Sequence, residues 1–246
     1  MKPELRIAII SSMPKGHDLR VSKSKDSEKF KNLLLDSEIA QLETKVFEVE
    51  DGALHEALEY SSKILITGSP AGVYDREDWI DELRELIRKA YRVGGLLVGI
   101  CFGHQLLADA LGGEAKKSER GWGLGGREAE VLLETAWTDP FRKRLCLHYS
   151  HQDQVTKLPP GARLLAKCNF CDNAMFELGP SDAGSGKVLG IQGHPEYKVS
   201  HMQDLISHLE SRVGPAMATA AKESLAEGET DSEVVRDWIV RFFLEC

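Results

Sequence analysis

Cys101 sits in Gly99-Ile-Cys101-Phe-Gly103, where an apolar run, Leu96-Leu97-Val98, gives way to Leu106, Leu107, Ala110 and Leu111 at helical spacing. Glycine loses the most backbone entropy on folding, so two glycines flanking a cysteine at a strand-to-helix junction imply that the backbone there needs room. The layout is that of a nucleophile elbow, a sharp strained turn that presents its central side chain. At the start of the following helix, unpaired N–H groups and the positive end of the helix dipole favour the thiolate that attacks carbonyl carbon. The N–H of Phe102 would face the oxyanion made by that attack. In isolation the same five residues also suit a buried cysteine beside a tight turn.

A thiolate nucleophile needs a base and a group to orient that base. The segment GIQGHPEY, residues 190–197, offers both. Pro195 biases His194 toward extended backbone, and side chains two apart on an extended chain share a face. His194 and Glu196 are therefore expected side by side at a strand end, with the carboxylate holding the imidazole as in a triad. Taken alone, His-Pro-Glu is an ordinary exposed loop. The elbow in the same chain gives it a catalytic reading, because sites gather at strand ends in open α/β sheets.

The elements that must carry these groups alternate between strand and helix. Short apolar strands are read at 5–11, 44–49, 63–67 and 95–100, with helices at about 27–40 and 52–60 and in DWIDELRELIRKAYRVG, which ends on a glycine pair. Continuous apolar runs indicate parallel strands covered on both faces, as in a doubly wound sheet. From 114 to 192, shorter strands (REAEVLL, LHYSH, ARLLAK, AMFEL, KVLGIQG) separated by turns such as DAGSG at 182–186 predict mixed or antiparallel pairing. Beyond 199 the chain returns to helix, through HMQDLISHLESRV, a weaker stretch, and SEVVRDWIVRFFLEC. The polar segment 14–29 reads as a loop or a helix start.

With 246 residues and 42% hydrophobic content, the chain suits one large domain with appendages. Its net charge of −8, from 31 basic and 39 acidic residues, leaves no basic stripe, so nucleic acid is not an expected partner. The apolar run in MKPELRIAII falls short of the roughly 7–15 residues of a signal-peptide core, and no segment nears the ~18–20 of a membrane span. A soluble, cytoplasmic protein with no membrane partner is expected. The five scattered cysteines fit a reducing compartment.

Four segments together resemble the class I glutamine amidotransferase superfamily, the peptidase-C26-like group. They are GICFGHQLLADALGG, GIQGHPEY, TGSPAGVYD at 67–75, which is similar to the family's oxyanion strand, and SHQDQV at 150–155, which is similar to its substrate-pocket segment. They stand in the family's order over about residues 5–200. The resemblance implies an α/β, flavodoxin-like three-layer sandwich around a mainly parallel sheet. It further implies a catalytic domain over 1–200 and a helical C-terminal extension over 201–246 packed on it. By the same resemblance Cys101 is the nucleophile, His194 the general base and acid, and Glu196 its orienter. The N–H groups of Ser69 and Phe102 form the oxyanion hole, and Gln105, Ser150 and His151 line a γ-glutamyl pocket. No cofactor or metal is implied. The implied substrate is a small-molecule γ-glutamyl amide, either glutamine or a peptide such as glutathione or its conjugates, cleaved through a γ-glutamyl thioester.

Stand-alone members resembling plant γ-glutamyl peptidases share the pattern most fully, and no ATP-using module is read in the chain, so water is the expected acceptor. Three alternatives stay open: a glutaminase subunit handing ammonia to a separate synthetase, a folate poly-γ-glutamate hydrolase, and a non-catalytic binding module with the same fold. Two departures stand out. Gly68-Ser69-Pro70 replaces the Gly-Gly-Pro of many members, and Gly193, where many have a bulky residue, is expected to widen the pocket.

Other patterns receive plainer readings. The glycines of ERGWGLGGRE, 119–128, do not lie between strand and helix, which disfavours a phosphate cradle and suggests a flexible loop near the site. Cys168-Asn-Phe-Cys171 has half a zinc-site spacing, with His148 and His151 as conceivable further ligands. Without a second C-x-x-C, packing cysteines are the default. Trp79, Leu83, Leu86, Ile87 and Tyr91 form a core stripe. Val235, Trp238, Ile239 and Phe242 either dock on the domain's own surface or make an interface with a partner or in a homodimer.

Overall fold

Alternate side chains of the first strand, β1 (Glu4–Ser11), go to opposite faces of a sheet, and each face is covered by helices. Leu5, Ile7 and Ile9 meet α1 (Asp26–Leu35) and α7 (Ser232–Leu244), whereas Ala8 and Ile10 meet α2 (Leu54–Tyr60), α3 (Asp78–Arg92) and α4 (Phe102–Ala110). This is the three-layer α/β sandwich expected. The structure is a computed structural model that describes residues 2–13, 26–180, 184–225 and 230–245. Most of the polar segment 14–29 and part of the 182–186 turn lie outside the described residues.

Among the described residues, nine strands form the main sheet. Five run parallel, in the order β2 (Gln41–Glu48), β1, β3 (Lys63–Ile66), β4 (Leu96–Ile100) and β11 (Lys187–Ile191). Four antiparallel strands extend it: β10 (Met175–Leu178), β9 (Arg163–Lys167), β6 (Gly123–Val131) and β7 (Arg144–His151). A separate hairpin-like pair, β5 (Glu114–Lys117) with β8 (Asp153–Lys157), was not foreseen. Beyond β11 follow α5 (Val199–Val213) and α6 (Pro215–Ser224).

Two expectations need correction. The helix read to residue 40 stops at Leu35, where the Ser37 hydroxyl accepts the Ile39 N–H at 3.3 Å and offers the backbone an alternative to another helical turn. The glycine-rich stretch is no flexible loop, since Gly123, Gly125 and Gly126 lie within β6. A Cβ on Gly125 would sit 2.3 Å from the Ser224 hydroxyl oxygen and one on Gly126 2.7 Å from the Ser224 carbonyl oxygen. The glycines flatten the strand so that the end of α6 can rest on it.

The C-terminal stripe is core. Val235, Trp238, Ile239 and Phe242 are fully buried, and the Trp137 ring packs edge-on against Trp238 and Phe242 at 6.1 and 5.7 Å. These side chains are occupied within the chain, so the stripe is not the surface of a homodimer. Among the described residues no helix is long and apolar enough to cross a membrane.

A row of close approaches seats α4 on the sheet. Gly99 and Gly190 are register partners on neighbouring strands β4 and β11. A Cβ at Gly99 would fall 2.4 Å from the Gly103 backbone, and one at Gly190 2.5 Å from His104 Nδ1. Gly103 in turn abuts the Ile66 carbonyl of β3, 2.4 Å from where its Cβ would be. These glycines answer the need for room that the sequence poses around Cys101. Gly99→Ala is expected to destabilise by about 2–3 kcal/mol through overpacking. Gly179→Ala, which meets nothing within 4 Å, should stay within about 0.5 kcal/mol of the parent. Urea unfolding of both variants checks this, and equal stabilities would contradict the packing account.

Candidate active site

The carboxyl ends of three adjacent strands converge on one point: Gly68 and Ser69 follow β3, Cys101 follows β4 and His194 follows β11. Cys101 has φ 52° and ψ −103°, and it is the one non-glycine residue with positive φ among those described. Such a conformation costs on the order of 1–3 kcal/mol and persists only where its surroundings enforce it. Here the Cys101 N–H donates to the Ile191 carbonyl at 2.8 Å, and the Cys101 carbonyl accepts the Gln105 N–H at 3.0 Å. The end of β11 and the first turn of α4 thus grip the residue from both sides.

His194 is buried against this elbow. Its Nδ1 donates to Glu196 Oε1 at 2.7 Å, and the Cys101 side chain lies close enough to the ring to bear on its pKa. Burial alone would lower the imidazole pKa, but the adjoining Glu196 carboxylate and Cys101 outweigh it and hold the value well above the ordinary one. Tyr197 stacks on the imidazole, with ring centroids 4.1 Å apart and planes 3° from parallel.

His148 of β7 anchors the same segment twice. Its carbonyl accepts the His194 N–H and its Nδ1 donates to the Tyr197 carbonyl, both at 2.8 Å. The extended geometry expected through Glu196 ends at His194, because Pro195 and Glu196 form a turn, a geometry that suits the fixed φ of proline. Histidine and carboxylate meet around that turn rather than along a strand. Gly193 does not widen the pocket. A Cβ there would lie 2.9 Å from Leu147 and 3.1 Å from the Tyr149 ring, so its open side is already filled.

A cavity of about 320 Å3 opens over the cysteine, and Ser69, Cys101, Gln105, Ser150, His151 and His194 all line it. The other two expected residues stand behind this wall. Glu196 backs His194, and Phe102 begins α4 with its ring 5.5 Å from Trp79. The first N–H groups of a helix have no partner within it, so that of Phe102 is available beside Cys101. Gly68 brings the Ser69 backbone alongside, as a Cβ on it would lie 3.1 Å from His194 Cε1 and 3.7 Å from Cys101 Cβ. The Ser69 hydroxyl accepts the Ala71 N–H at 3.2 Å, which fixes the turn that departs from Gly-Gly-Pro.

Gln105 and His151 are held by one acceptor. Gln105 Nε2 donates to the Asp153 carbonyl at 2.7 Å and to Gln192 Oε1 at 3.2 Å, while His151 Nδ1 donates to the same Asp153 carbonyl at 3.0 Å. Burial drives the His151 pKa down to about 3, so the ring is neutral, and it packs between Tyr149 and Phe170. Phe170 is presented by the Cys168–Cys171 turn, in which the Cys168 N–H reaches the Cys171 carbonyl at 2.9 Å and the Cys171 N–H reaches Cys168 Sγ at 3.3 Å. Among the described residues no group of three or more His, Cys, Asp or Glu side chains is placed to hold a metal ion.

Several lining residues escape a reading of the sequence. Asp153 lies inside SHQDQV and Tyr197 directly follows His-Pro-Glu, so both had a local signal. Trp122 also lines the cavity, from the glycine-rich stretch 119–128 that the sequence places near the site; His201, Leu205 and Arg212 line it too, and nothing in their own stretches of sequence points there.

A family model for class-I glutamine amidotransferases matches residues 25–209. Gamma-glutamyl peptidase 4 of Arabidopsis thaliana is 31% identical over 195 residues, which cover 75% of this chain and 75% of the relative. A GMP synthase (glutamine-hydrolyzing) of Aeropyrum pernix is 30% identical over 208 residues, which cover 74% of this chain but 37% of the synthase. A glutamine amidotransferase of known structure from Thermotoga maritima shares the fold, with a TM-score of 0.70 at 20% identity over 98% of this chain and 96% of that one. With the family model spanning most of its length, and its elbow, histidine turn and pocket segment joined in one cavity, the chain belongs to the class-I glutamine amidotransferase family.

Proposed function

We propose that the protein is a cysteine hydrolase that cleaves γ-glutamyl amide bonds. The observation that carries this reading is the buried line Cys101–His194–Glu196, with a strained cysteine at one end and a 2.7 Å imidazole–carboxylate contact at the other. Cys101 Sγ attacks the γ-carbonyl carbon as a thiolate, its proton held on His194 Nε2. The N–H groups of Ser69 and Phe102 stabilise the oxyanion. On collapse of the tetrahedral adduct the C–N bond breaks, His194 protonates the leaving nitrogen, and a γ-glutamyl thioester remains. His194 then takes a proton from water as that water attacks the thioester, and collapse of the second adduct expels the Cys101 thiolate, releases glutamate and leaves the proton on His194 as at the start. Glu196 holds the ring with its Nδ1–H inward and stabilises the imidazolium in both halves.

Glutamine and γ-glutamyl peptides present the same side-chain amide and differ in the leaving group, ammonia or a peptide amine. The similarity to Arabidopsis γ-glutamyl peptidases over three quarters of both chains favours a peptide such as glutathione or a conjugate of it. A second reading rests on the GMP synthase relatives: a glutaminase that passes ammonia to a separate synthetase.

Glutamate release from glutamine, glutathione and a glutathione S-conjugate separates these readings. Cleavage of the thiol peptides, lowered at least about 10³-fold by Cys101→Ser, is the expected result. Cleavage of glutamine alone, or none without an added synthetase, would transfer the assignment to the second reading. The pH dependence tests the relay. A raised His194 pKa keeps the imidazole protonated up to high pH. Glu196→Gln removes a neighbour that raises it, so the alkaline limb of the kcat/KM profile should move to lower pH. A limb that stays in place would show that Glu196 does not act on His194.

A further inference from the structure

Tyr197 covers one face of the His194 imidazole. The two ring centroids stand 4.1 Å apart with their planes 3° from parallel, closer than the roughly 4.5–7 Å of most aromatic pairs. At that separation a tilt of either ring drives atoms together, so the stack resists rotation of the imidazole out of its plane. The Glu196 contact does not supply that restraint. A hydrogen bond from Nδ1 at 2.7 Å fixes one ring atom, but the χ2 torsion of histidine is broad, and the ring can still pivot about the line from Cβ to Nδ1. Such a pivot swings Nε2 toward or away from the cysteine. Gly68 bounds the Cε1 edge, since a Cβ at that position would lie 3.1 Å from it.

Tyr197 is itself held from three elements. His148 Nδ1 of β7 donates to its carbonyl at 2.8 Å. On α5 the His201 ring lies 4.4 Å from the Tyr197 ring at 59° to it, and Leu205 and Leu209 share its hydrophobic cluster. From α1, Lys29 Nζ sits over the Tyr197 ring, 5.1 Å from its centroid, and donates to His201 Nε2 at 3.2 Å. We propose that Tyr197 is a positioning residue: it sets the plane of the His194 imidazole while Glu196 sets its direction, so that Nε2 faces the sulfur and the leaving nitrogen. This rests on the hydrolase reading for the protons that Nε2 carries but makes a separate claim about what orients that nitrogen.

The test replaces Tyr197 by Phe, which keeps the ring, and by Leu or Met, which fill space without one. The substrate is whichever of glutamine and glutathione the parent cleaves faster. Tyr197→Leu and Tyr197→Met are expected to lower kcat at least about tenfold with KM within about threefold of the parent, whereas Tyr197→Phe should stay within about twofold in both. A rise in KM at unchanged kcat would make Tyr197 a wall of the cavity, and Tyr197→Phe as impaired as Tyr197→Leu would assign the effect to the hydroxyl; either result overturns the proposal. Alkylation of Cys101 by iodoacetamide near pH 6, well below the ordinary thiol pKa of about 8.5, reads the same alignment without turnover, because an aligned imidazolium keeps the thiol ionised. Followed by mass on the Cys101 peptide, it should be at least about fivefold slower in Tyr197→Leu and Tyr197→Met and unchanged in Tyr197→Phe. Equal rates in all four proteins would overturn the proposal. Alkylation slowed in Tyr197→Leu and restored in Tyr197→Phe, in a protein that releases glutamate from neither substrate, would sink the hydrolase reading and leave the positioning role standing. In the parent itself, NMR should show the His194 ring protons displaced upfield by the Tyr197 ring current. Protons at ordinary imidazole shifts would overturn the stack, whether or not the variants fold.

Discussion

The structure depends on how closely one helix lies on the sheet. Helix α4 follows β4 without a loop and folds straight back over the strand it left, and only the absence of side chains at Gly99, Gly103 and Gly190 makes room for it. That proximity forces the backbone through the positive φ at Cys101. The strain is held by the N–H and carbonyl of Cys101, one tied to β11 and the other to α4. Because β11 is also the strand that delivers His194, the contact that fixes the cysteine and the one that places this histidine share a single piece of backbone. A shift of α4 by the width of a methyl group would disturb both.

Electrostatics then divides the site into two kinds of histidine. His194 has an anionic partner on one side and the cysteine on the other and is drawn toward its charged form. His104 and His151, equally buried but with only backbone acceptors nearby, are held neutral, with pKa values near 3. The same residue type is drawn toward its charged form or held neutral according to whether a carboxylate accompanies it.

Much of this was legible in the sequence where local chemistry sets local structure. The parallel strands announce themselves as continuous apolar runs, the elbow as a cysteine between glycines, and the proposed base as His194 before Pro195 with the Glu196 carboxylate two residues on. What stayed hidden was set by distant packing. The glycines of β6 look like a loop because the helix that rests on them, α6, is about a hundred residues away in sequence. Gly193 suggests an opening, yet Leu147 and Tyr149 from another strand fill it. Asp153 was visible within SHQDQV, but its relation to Gln105 and Tyr74 arises only when β8, α4 and the turn after β3 come together.

The cavity has two sources in the chain. The cysteine, the histidine and the backbone donors come from the ends of three adjacent strands, whereas one wall, with His201, Leu205 and Arg212, belongs to α5, which follows the last of those strands. The strand-end groups proposed for catalysis and that wall are therefore encoded in separate stretches, one constrained by sheet geometry and the other by little more than an amphipathic pattern. Within such an architecture a lineage can redraw the shape of what enters while its reaction stays as it was. Descent would then preserve the elbow long after the molecules it acts upon had diverged.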